Sequence, residues 1–346
     1  MRAARLHAYD EPLRLEDVPE PRVTEPFDVI VRIGGAGLCR TDLHFIEGMW
    51  AEQAGVQLDL PFILGHENAG WVEEVGAGVE HVQPGDAVIC HVQMTCGVCP
   101  ACRRGDDMHC AQGVFPGIAA PGGFAELLKT NARTLVPLPD GVEPADVAAH
   151  ADAGLTAIHA VKKAAATLTA GQRCVLIGIG GLGHIGLQCM KAMSPATVIA
   201  VDTRPETLEL AAEWGADHTV LADGGQAEAV QELTDGHGAE AVIDFVGEFG
   251  TIEYGKQLVR RHGTYYVVGY GDEIRIPAIQ VIFNEISFVG NLVGTYLDLV
   301  ELIELHTQGK VTLRTQTYSL EAINDAIADL DAGRIHGRAI LVPEGS

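Results

Sequence analysis

The run "RCVLIGIGGLGHIGL" (Arg173–Leu187) constrains the fold more than any other stretch of this chain. Its opening residues are continuously apolar, which suits a strand covered on both faces. A helical pattern follows over Leu182–Met193, and then a second apolar strand, "TVIAVD" (Thr197–Asp202). The alternation continues through "PETLELAAEWGA", the strand "HTVL", a helix near Gln226–Thr234, the strand "AEAVIDFVG", a helix near Thr251–Arg261 and the strand "TYYVVG". Strands that alternate with helices pair in parallel, because each crossover carries the chain back along the sheet. The expected fold class is therefore α/β, with a doubly wound parallel sheet in this half.

"GIGGLG" spaces Gly178, Gly180 and Gly183 as G-x-G-x-x-G. With 41 glycines in the chain, that spacing alone has little weight. Its setting supplies the weight: a buried strand precedes it, a helix follows, and Asp202 ends the next strand about twenty residues on. The glycines let the backbone approach a pyrophosphate, whose charge sits at the helix N-terminus. The bland alternative is that they serve only helix–sheet packing. Asp202 can accept from both ribose hydroxyls of an adenosine and would repel a 2′-phosphate, so NAD is expected over NADP. Arg204 is the nearby cation that works against this preference. Gly181 and Leu182 of the turn, with Val268 and Gly269 at the end of "TYYVVG", complete the expected cofactor contacts here.

The first ~150 residues have another texture, with short β-branched runs broken by glycine, proline and acidic turns. Examples are "DVIVRIGGAGL" (Asp28–Leu38), "GWVEEVGAGV" (Gly70–Val79) and "GDAVICHV" (Gly85–Val92). The change comes near Ala153. A helix (Asp298–Thr307), an amphipathic segment near Leu320–Leu330 and a strand "RAILVP" make up the tail. The 346 residues are 47% hydrophobic and 20% charged, which opposes disorder and allows two domains. Net charge is −24, so no nucleic-acid or anionic-membrane partner is expected. No apolar run approaches the ~20 residues of a membrane span. "MRAARLHAYDEPLRLEDV" lacks the apolar core and cleavage site of a signal peptide. A cytoplasmic protein is expected, where structural disulfides are rare.

"CGVCPACRRGDDMHC" places Cys96, Cys99, Cys102 and Cys110 within one short lobe. Four thiolates at such spacing can close a tetrahedral zinc shell and leave no position for a substrate, which describes a structural site. A four-cysteine iron–sulfur centre is the main rival, whereas a redox dithiol needs only two cysteines. Cys39, in "GLCRTDLH", and His66, in "LGHENAG", each follow a strand-like run. They bring a soft thiolate and an imidazole, and Asp42 can orient a ligating histidine. A lone cysteine or histidine is usually core, and composition does not pair these two. Cys90, Cys174 and Cys189 lie in apolar segments and read as inert core. His91, His150, His159 and His184 read as structural.

Together these residues resemble the zinc-dependent alcohol dehydrogenases of the medium-chain dehydrogenase/reductase superfamily. "GHENAGWVEEVGAGV" is similar to that family's zinc signature, the four-cysteine lobe follows at the expected distance, and the dinucleotide fingerprint comes next. The resemblance spans nearly the whole chain. It implies that Cys39 and His66 are two ligands of a catalytic zinc. The third falls in "HADAGLT", where many members have cysteine and this chain has Asp152. The formal ligand charge is unchanged, but a carboxylate donates less electron density than a thiolate, leaving the metal a stronger Lewis acid. The resemblance gives Glu67 either a transient place on that metal or a hydrogen-bonding role beside it. It also implies a proton relay of Thr41 and His44, pyrophosphate contacts by Arg40 and Arg338, nicotinamide packing by Thr156, and Trp50 in the substrate pocket.

The implied cofactors are two Zn2+ ions per chain and NAD. The implied architecture is a GroES-like β-rich catalytic domain, residues 1–153 with 293–346, and an inserted Rossmann domain, residues 154–292. The implied activity is reversible hydride transfer between NAD and a primary or secondary alcohol, or its aldehyde or ketone. The implied assembly is a homo-oligomer, a tetramer in preference to a dimer, built through "FVGNLVG" and the structural lobe. Two rivals remain: a zinc dehydrogenase of the same fold acting on polyols, threonine or formaldehyde adducts, and a zinc-binding protein without catalysis. The set Cys39, Thr41, His44, His66 and Asp152 counts against the second, because a binding module has no use for it.

Overall fold

Asp28–Leu38 is an eleven-residue strand in the computed structural model, which describes residues 1–53 and 55–344. Ten of its residues are buried: strands flank both of its edges, Val29, Val31 and Ile33 join the core, and Pro144–Val147 and Ala148–Ala151 pack against it. Glu67–Val75 pairs along one edge, and Leu127–Asn131 and Arg338–Val342 share the other. Ala87–Cys90 and Leu135–Pro137 extend the sheet on one side, and Thr315–Ser319 on the other, giving seven strands. A small antiparallel sheet of Arg14–Asp17, Arg2–Leu6 and Phe62–Ile63 packs into the same core, around Leu6, Val31, Leu64, Phe124 and Leu128.

Register in this sheet decides what comes together at one end. Gly37 lies opposite Glu67, and Leu38 opposite Ala339. Cys39 follows the central strand directly, while Glu67 and Arg338 each begin a neighbouring strand. Three residues far apart in sequence therefore start from adjacent sheet positions.

The second unit is a six-stranded, wholly parallel sheet. Its spatial order is His218–Leu221, Thr197–Asp202, Arg173–Ile177, Ala239–Asp244, Val259–Val267, Ser287–Gly290. Numbered by sequence, this is the 3-2-1-4-5-6 order of a dinucleotide-binding Rossmann sheet. The direction of winding reverses between Arg173–Ile177 and Ala239–Asp244, so a crevice opens at their carboxyl ends. Val175, Ile177, Ile199, Val201, Val242 and Tyr265 form part of its core.

Chain contacts separate the units between Ala153 and Gly154, and the first unit resumes at Thr295. Gln308–Thr312 groups with the second unit, although the sequence placed it with the catalytic domain. The reason is local: Gln188 Nε2 donates to the Thr312 carbonyl at 2.9 Å, and the Thr312 N–H donates back to Gln188 Oε1 at 2.9 Å. The helix expected to reach Arg261 ends at Leu258, because Val259 already pairs with Ala239. Ala278–Asn284 is a helix that no sequence pattern announced. Among the described residues, no helix is long and apolar enough to cross a membrane.

Candidate active site

Cys39, His66, Glu67 and Asp152 bring one donor atom each within 4.8 Å of one another. Cys39 caps the helix Arg40–Ile46 just beyond the central strand. His66 precedes the strand Glu67–Val75, and Asp152 follows the short turn Ala148–Ala151. His66 Nε2 lies 3.5 Å from Asp152 Oδ2. That separation suits two ligands of one ion, since bonds of about 2.0–2.2 Å at a tetrahedral angle place N and O roughly 3.4 Å apart.

Asp42, fully buried, braces this set. Its Oδ2 accepts the Cys39 N–H at 2.9 Å, and its Oδ1 stands 3.2 Å from His66 Nδ1. An acidic neighbour on the outer ring nitrogen fixes which nitrogen faces the metal. Burial alone would depress the His66 imidazole, but Asp42, Asp152 and Cys39 outweigh it and hold its pKa well above the ordinary range. Surroundings that draw a proton so strongly favour a cation in its place. The donor set of sulfur, nitrogen and oxygen fits zinc.

Glu67 is fully buried with both oxygens engaged. Oε1 accepts the N–H of Ala153 at 3.0 Å, and Oε2 accepts from the Arg338 guanidinium. Burial raises the Glu67 carboxyl, and Arg338 opposes that rise. Its side chain crosses Gly37 so closely that a Cβ there would lie 1.9 Å from Oε2, which reserves that strand position for glycine. Arg338, expected at a pyrophosphate, thus has its partner at the metal cluster and is only 4% exposed.

Thr41 and His44 stand three residues apart on the helix Arg40–Ile46, hence on one face. Burial, aided by the Arg40 charge, pushes the His44 imidazole below its usual range, so it is neutral and can take up a proton. Arg40 pairs with Asp331 at 3.2 Å on the surface. Trp50 is half-buried and stacks on Phe45, with ring centroids 5.2 Å apart. Phe115, which no sequence pattern singled out, stands edge-on to the His66 ring at 6.1 Å. His150, read as structural, lies 3.2 Å from His306, a pairing that spacing along the chain could not reveal.

The four sulfurs of Cys96, Cys99, Cys102 and Cys110 also lie within 4.8 Å of one another. The Cys96–Cys102 and Cys99–Cys102 sulfurs are 3.9 and 3.5 Å apart, close to the ~3.8 Å expected of thiolates around one zinc. Main-chain N–H groups of Cys96 and Gln112 donate to the Cys110 sulfur, and that of Cys99 to Cys96. Such donors favour thiolates, and main-chain N–H groups of Cys102 and Ala111 lower the Cys99 thiol in the same way, to about 6. Asp107 ties the lobe down, accepting the N–H of Tyr296 at 2.9 Å. Cys110→Ser is expected to remove one ligand and lower the melting temperature by about 10 °C, while freshly purified protein keeps its turnover. Calorimetry with metal analysis checks this. Lost turnover at unchanged stability would make the lobe catalytic.

In the second unit, the fingerprint turn follows Arg173–Ile177 and leads into the helix Gly183–Met193. Gly178 has φ +81°, and a Cβ on Gly183 would lie 1.8 Å from the Gly178 carbonyl oxygen. Gly180, Gly181 and Leu182 are half-buried at the helix start. Asp202, 8% exposed, accepts the N–H of Ile179 at 2.8 Å and that of Arg204 at 3.0 Å, which fixes its carboxylate beside the turn. The Arg204 guanidinium lies 3.8 Å from the same carboxylate. Val268 and Gly269 follow the strand Val259–Val267, and Thr156 is buried in the helix Ala153–Ala165.

Residues 25–140 match the family described as "Alcohol dehydrogenase GroES-like domain", and residues 181–308 match "Zinc-binding dehydrogenase". An alcohol dehydrogenase of Geobacillus stearothermophilus is 35% identical over 99% of this chain and 98% of its own length. An NAD-dependent alcohol dehydrogenase of Sulfurisphaera tokodaii is 36% identical over 99% and 100%. The crystal structure of the alcohol dehydrogenase from Aeropyrum pernix superposes with a TM-score of 0.96 at 49% identity, covering 99% of this chain and all of that one. Likeness of that extent, running through both units, makes this chain a member of the zinc-type medium-chain dehydrogenase/reductase family.

Proposed function

We propose that the protein is an NAD-dependent zinc alcohol dehydrogenase, interconverting a primary or secondary alcohol with its aldehyde or ketone. The observation that carries this reading is the Cys39–His66–Asp152 donor set beside the Thr41–His44 face. When bound, zinc on Cys39, His66 and Asp152 supplies a Lewis acid that acidifies an alcohol, and NAD supplies the hydride acceptor. The Thr41 hydroxyl takes the alcohol proton in a hydrogen bond, and neutral His44 carries it toward solvent. Asp42 keeps His66 in register, and Glu67 holds the chain next to Asp152 through the Ala153 N–H. Each Glu67 oxygen accepts one donor and keeps a lone pair, so its tethering role stands beside a transient place on the metal. Arg40, and Arg338 through N–H groups beyond the one that Glu67 accepts, supply charge for a pyrophosphate. Thr156, Val268 and Gly269 pack the nicotinamide side, Gly178, Gly180, Gly181, Leu182 and Gly183 surround the phosphates, and Trp50 walls the substrate.

Asp202 sets the cofactor preference. Each of its oxygens accepts one N–H and keeps a lone pair for a ribose hydroxyl. Asp202→Ala should lower the NAD-over-NADP ratio of kcat/KM about tenfold to a hundredfold, because the carboxylate that accepts from the ribose hydroxyls and repels a 2′-phosphate is gone. Equal kcat/KM with NAD and with NADP in the unmodified enzyme would contradict the assignment.

The proposed assembly is a homo-oligomer, with a tetramer favoured. In support, Ser287–Gly290 is the last strand of its sheet, and Ile279, Ile282, Phe283 and Leu292 beside it are exposed at 53–74%. An uncovered edge with apolar flanks is what a second copy would cover. We place the enzyme in the cytoplasm, where eight free cysteines and a thiolate metal lobe stay reduced. NADH formation with a panel of alcohols, including polyols and threonine, tests the activity. Turnover of threonine or polyols alone would select the rival dehydrogenases.

A further inference from the structure

Asp244 is a buried carboxylate that the proposed chemistry does not use. It ends the strand Ala239–Asp244, beside Ile177 of the fingerprint strand, where the winding of the parallel sheet reverses. It is 0% exposed. Oδ1 accepts the N–H groups of Val246 at 2.8 Å and Gly247 at 3.0 Å. Oδ2 accepts the hydroxyls of Thr251 at 2.8 Å and Tyr265 at 2.6 Å. Its own carbonyl accepts the N–H groups of Val268 and Gly269, both at 3.0 Å. One residue thus gathers six hydrogen bonds, four of them from two different loops.

Those loops leave no slack around the fingerprint turn. Val246 Cγ2 lies 2.3 Å from where a Cβ on Gly178 would be. The Phe245 ring lies 2.5 Å from a Cβ position on Gly186 and 3.5 Å from that on Gly183. The backbones of Gly247 and Gly269 are also in direct contact, since a Cβ on Gly247 would fall 2.1 Å from the Gly269 carbonyl carbon. A change at Asp244 therefore reaches the turn through Phe245 and Val246, and reaches Val268–Gly269 through the crossing of the two loops.

We propose that Asp244 is a positioning residue of the cofactor site. Its carboxylate holds the Phe245–Gly247 turn, and its carbonyl holds Val268–Gly269, in the arrangement that NAD meets. The ordering of both loops is then complete before binding and does not subtract from affinity. The inference rests on the NAD reading and adds a residue that touches no cofactor atom itself.

The experiment titrates the full-length, zinc-loaded enzyme with NAD by calorimetry, with kcat measured at saturating NAD. Asp244→Ala should weaken NAD binding about thirtyfold and leave kcat within about threefold. Asp244→Asn keeps the shape but accepts the two N–H groups less strongly, so a loss of about fivefold is expected; it carries the test if the alanine variant does not fold. Thr251→Val removes one bond on the other carboxylate oxygen and should lower the melting temperature with NAD affinity kept within about twofold. Hydrogen exchange of the Val246 and Gly247 amides should quicken in free Asp244→Asn and slow again on adding NAD. NAD affinity equal to the unmodified enzyme's in a folded Asp244→Asn or Asp244→Ala, with only stability reduced, would overturn the proposal. Failure of the unmodified enzyme to bind NAD would instead overturn the cofactor reading, and this inference with it.

Discussion

Asp152→Ala is expected to lower turnover by at least about a thousandfold while leaving a folded protein that binds NAD. Removing the carboxylate deletes one of three ligands and leaves His66 Nε2 without its neighbour at 3.5 Å. Lewis-acid activation contributes several kcal/mol, and about 4 kcal/mol corresponds to a thousandfold. The fold should tolerate the change, because Asp152 contributes no side chain to either hydrophobic core and is 14% exposed. Asp152→Cys retains charge and metal, so it should keep activity within about a hundredfold of the unmodified enzyme. Turnover, zinc per chain and NAD affinity, measured on the same preparations, check all three expectations. Normal turnover in a zinc-loaded Asp152→Ala enzyme would remove Asp152 from the site.

Thr41→Val should lower kcat about a hundredfold or more, the usual worth of a positioned proton-transfer group, and leave NAD affinity unchanged within about twofold. Valine keeps the shape and removes only the hydroxyl that starts the relay. His44→Gln should cost less, because water can replace the outer step, and its loss should shrink as pH rises or base is added. The loss shrinks because hydroxide or added base takes the proton in place of the imidazole; in the unmodified enzyme burial lowers the His44 pKa, so its neutral, proton-accepting form persists to lower pH than for a free imidazole. Pre-steady-state measurement of hydride transfer separates this effect from product release. An unchanged hydride step in Thr41→Val would contradict the relay.

The Rossmann half was legible because its signals are local. Apolar runs, helical periods and "GIGGLG" each occupy a few consecutive residues, and "TVIAVD" and "HTVL" became strands with those same bounds. The cysteine lobe was legible for the same reason, with its four ligands inside fifteen residues. The clamp around Glu67 was not. It depends on Gly37 facing Glu67 and Leu38 facing Ala339, a register that joins residues about three hundred positions apart. The six bonds of Asp244 were hidden likewise, since an apolar strand that ends in one acid looks like any other. Ala278–Asn284 escaped because none of its residues is buried, so no amphipathic period marks it.

The most direct test measures NADH formation from an alcohol as zinc is removed stepwise from the intact enzyme by a chelator, with zinc per chain determined at each step. Two zincs per chain are expected at the outset, with turnover lost as the Cys39–His66–Asp152 site empties and restored on adding zinc back. Cys110→Ser should start near one zinc and lose activity with that ion, whereas Asp152→Ala should start near one zinc and show almost no activity. Full turnover after both zincs are gone, or activity that follows the four-cysteine lobe alone, would contradict the assignment of the chemistry to Cys39, His66 and Asp152.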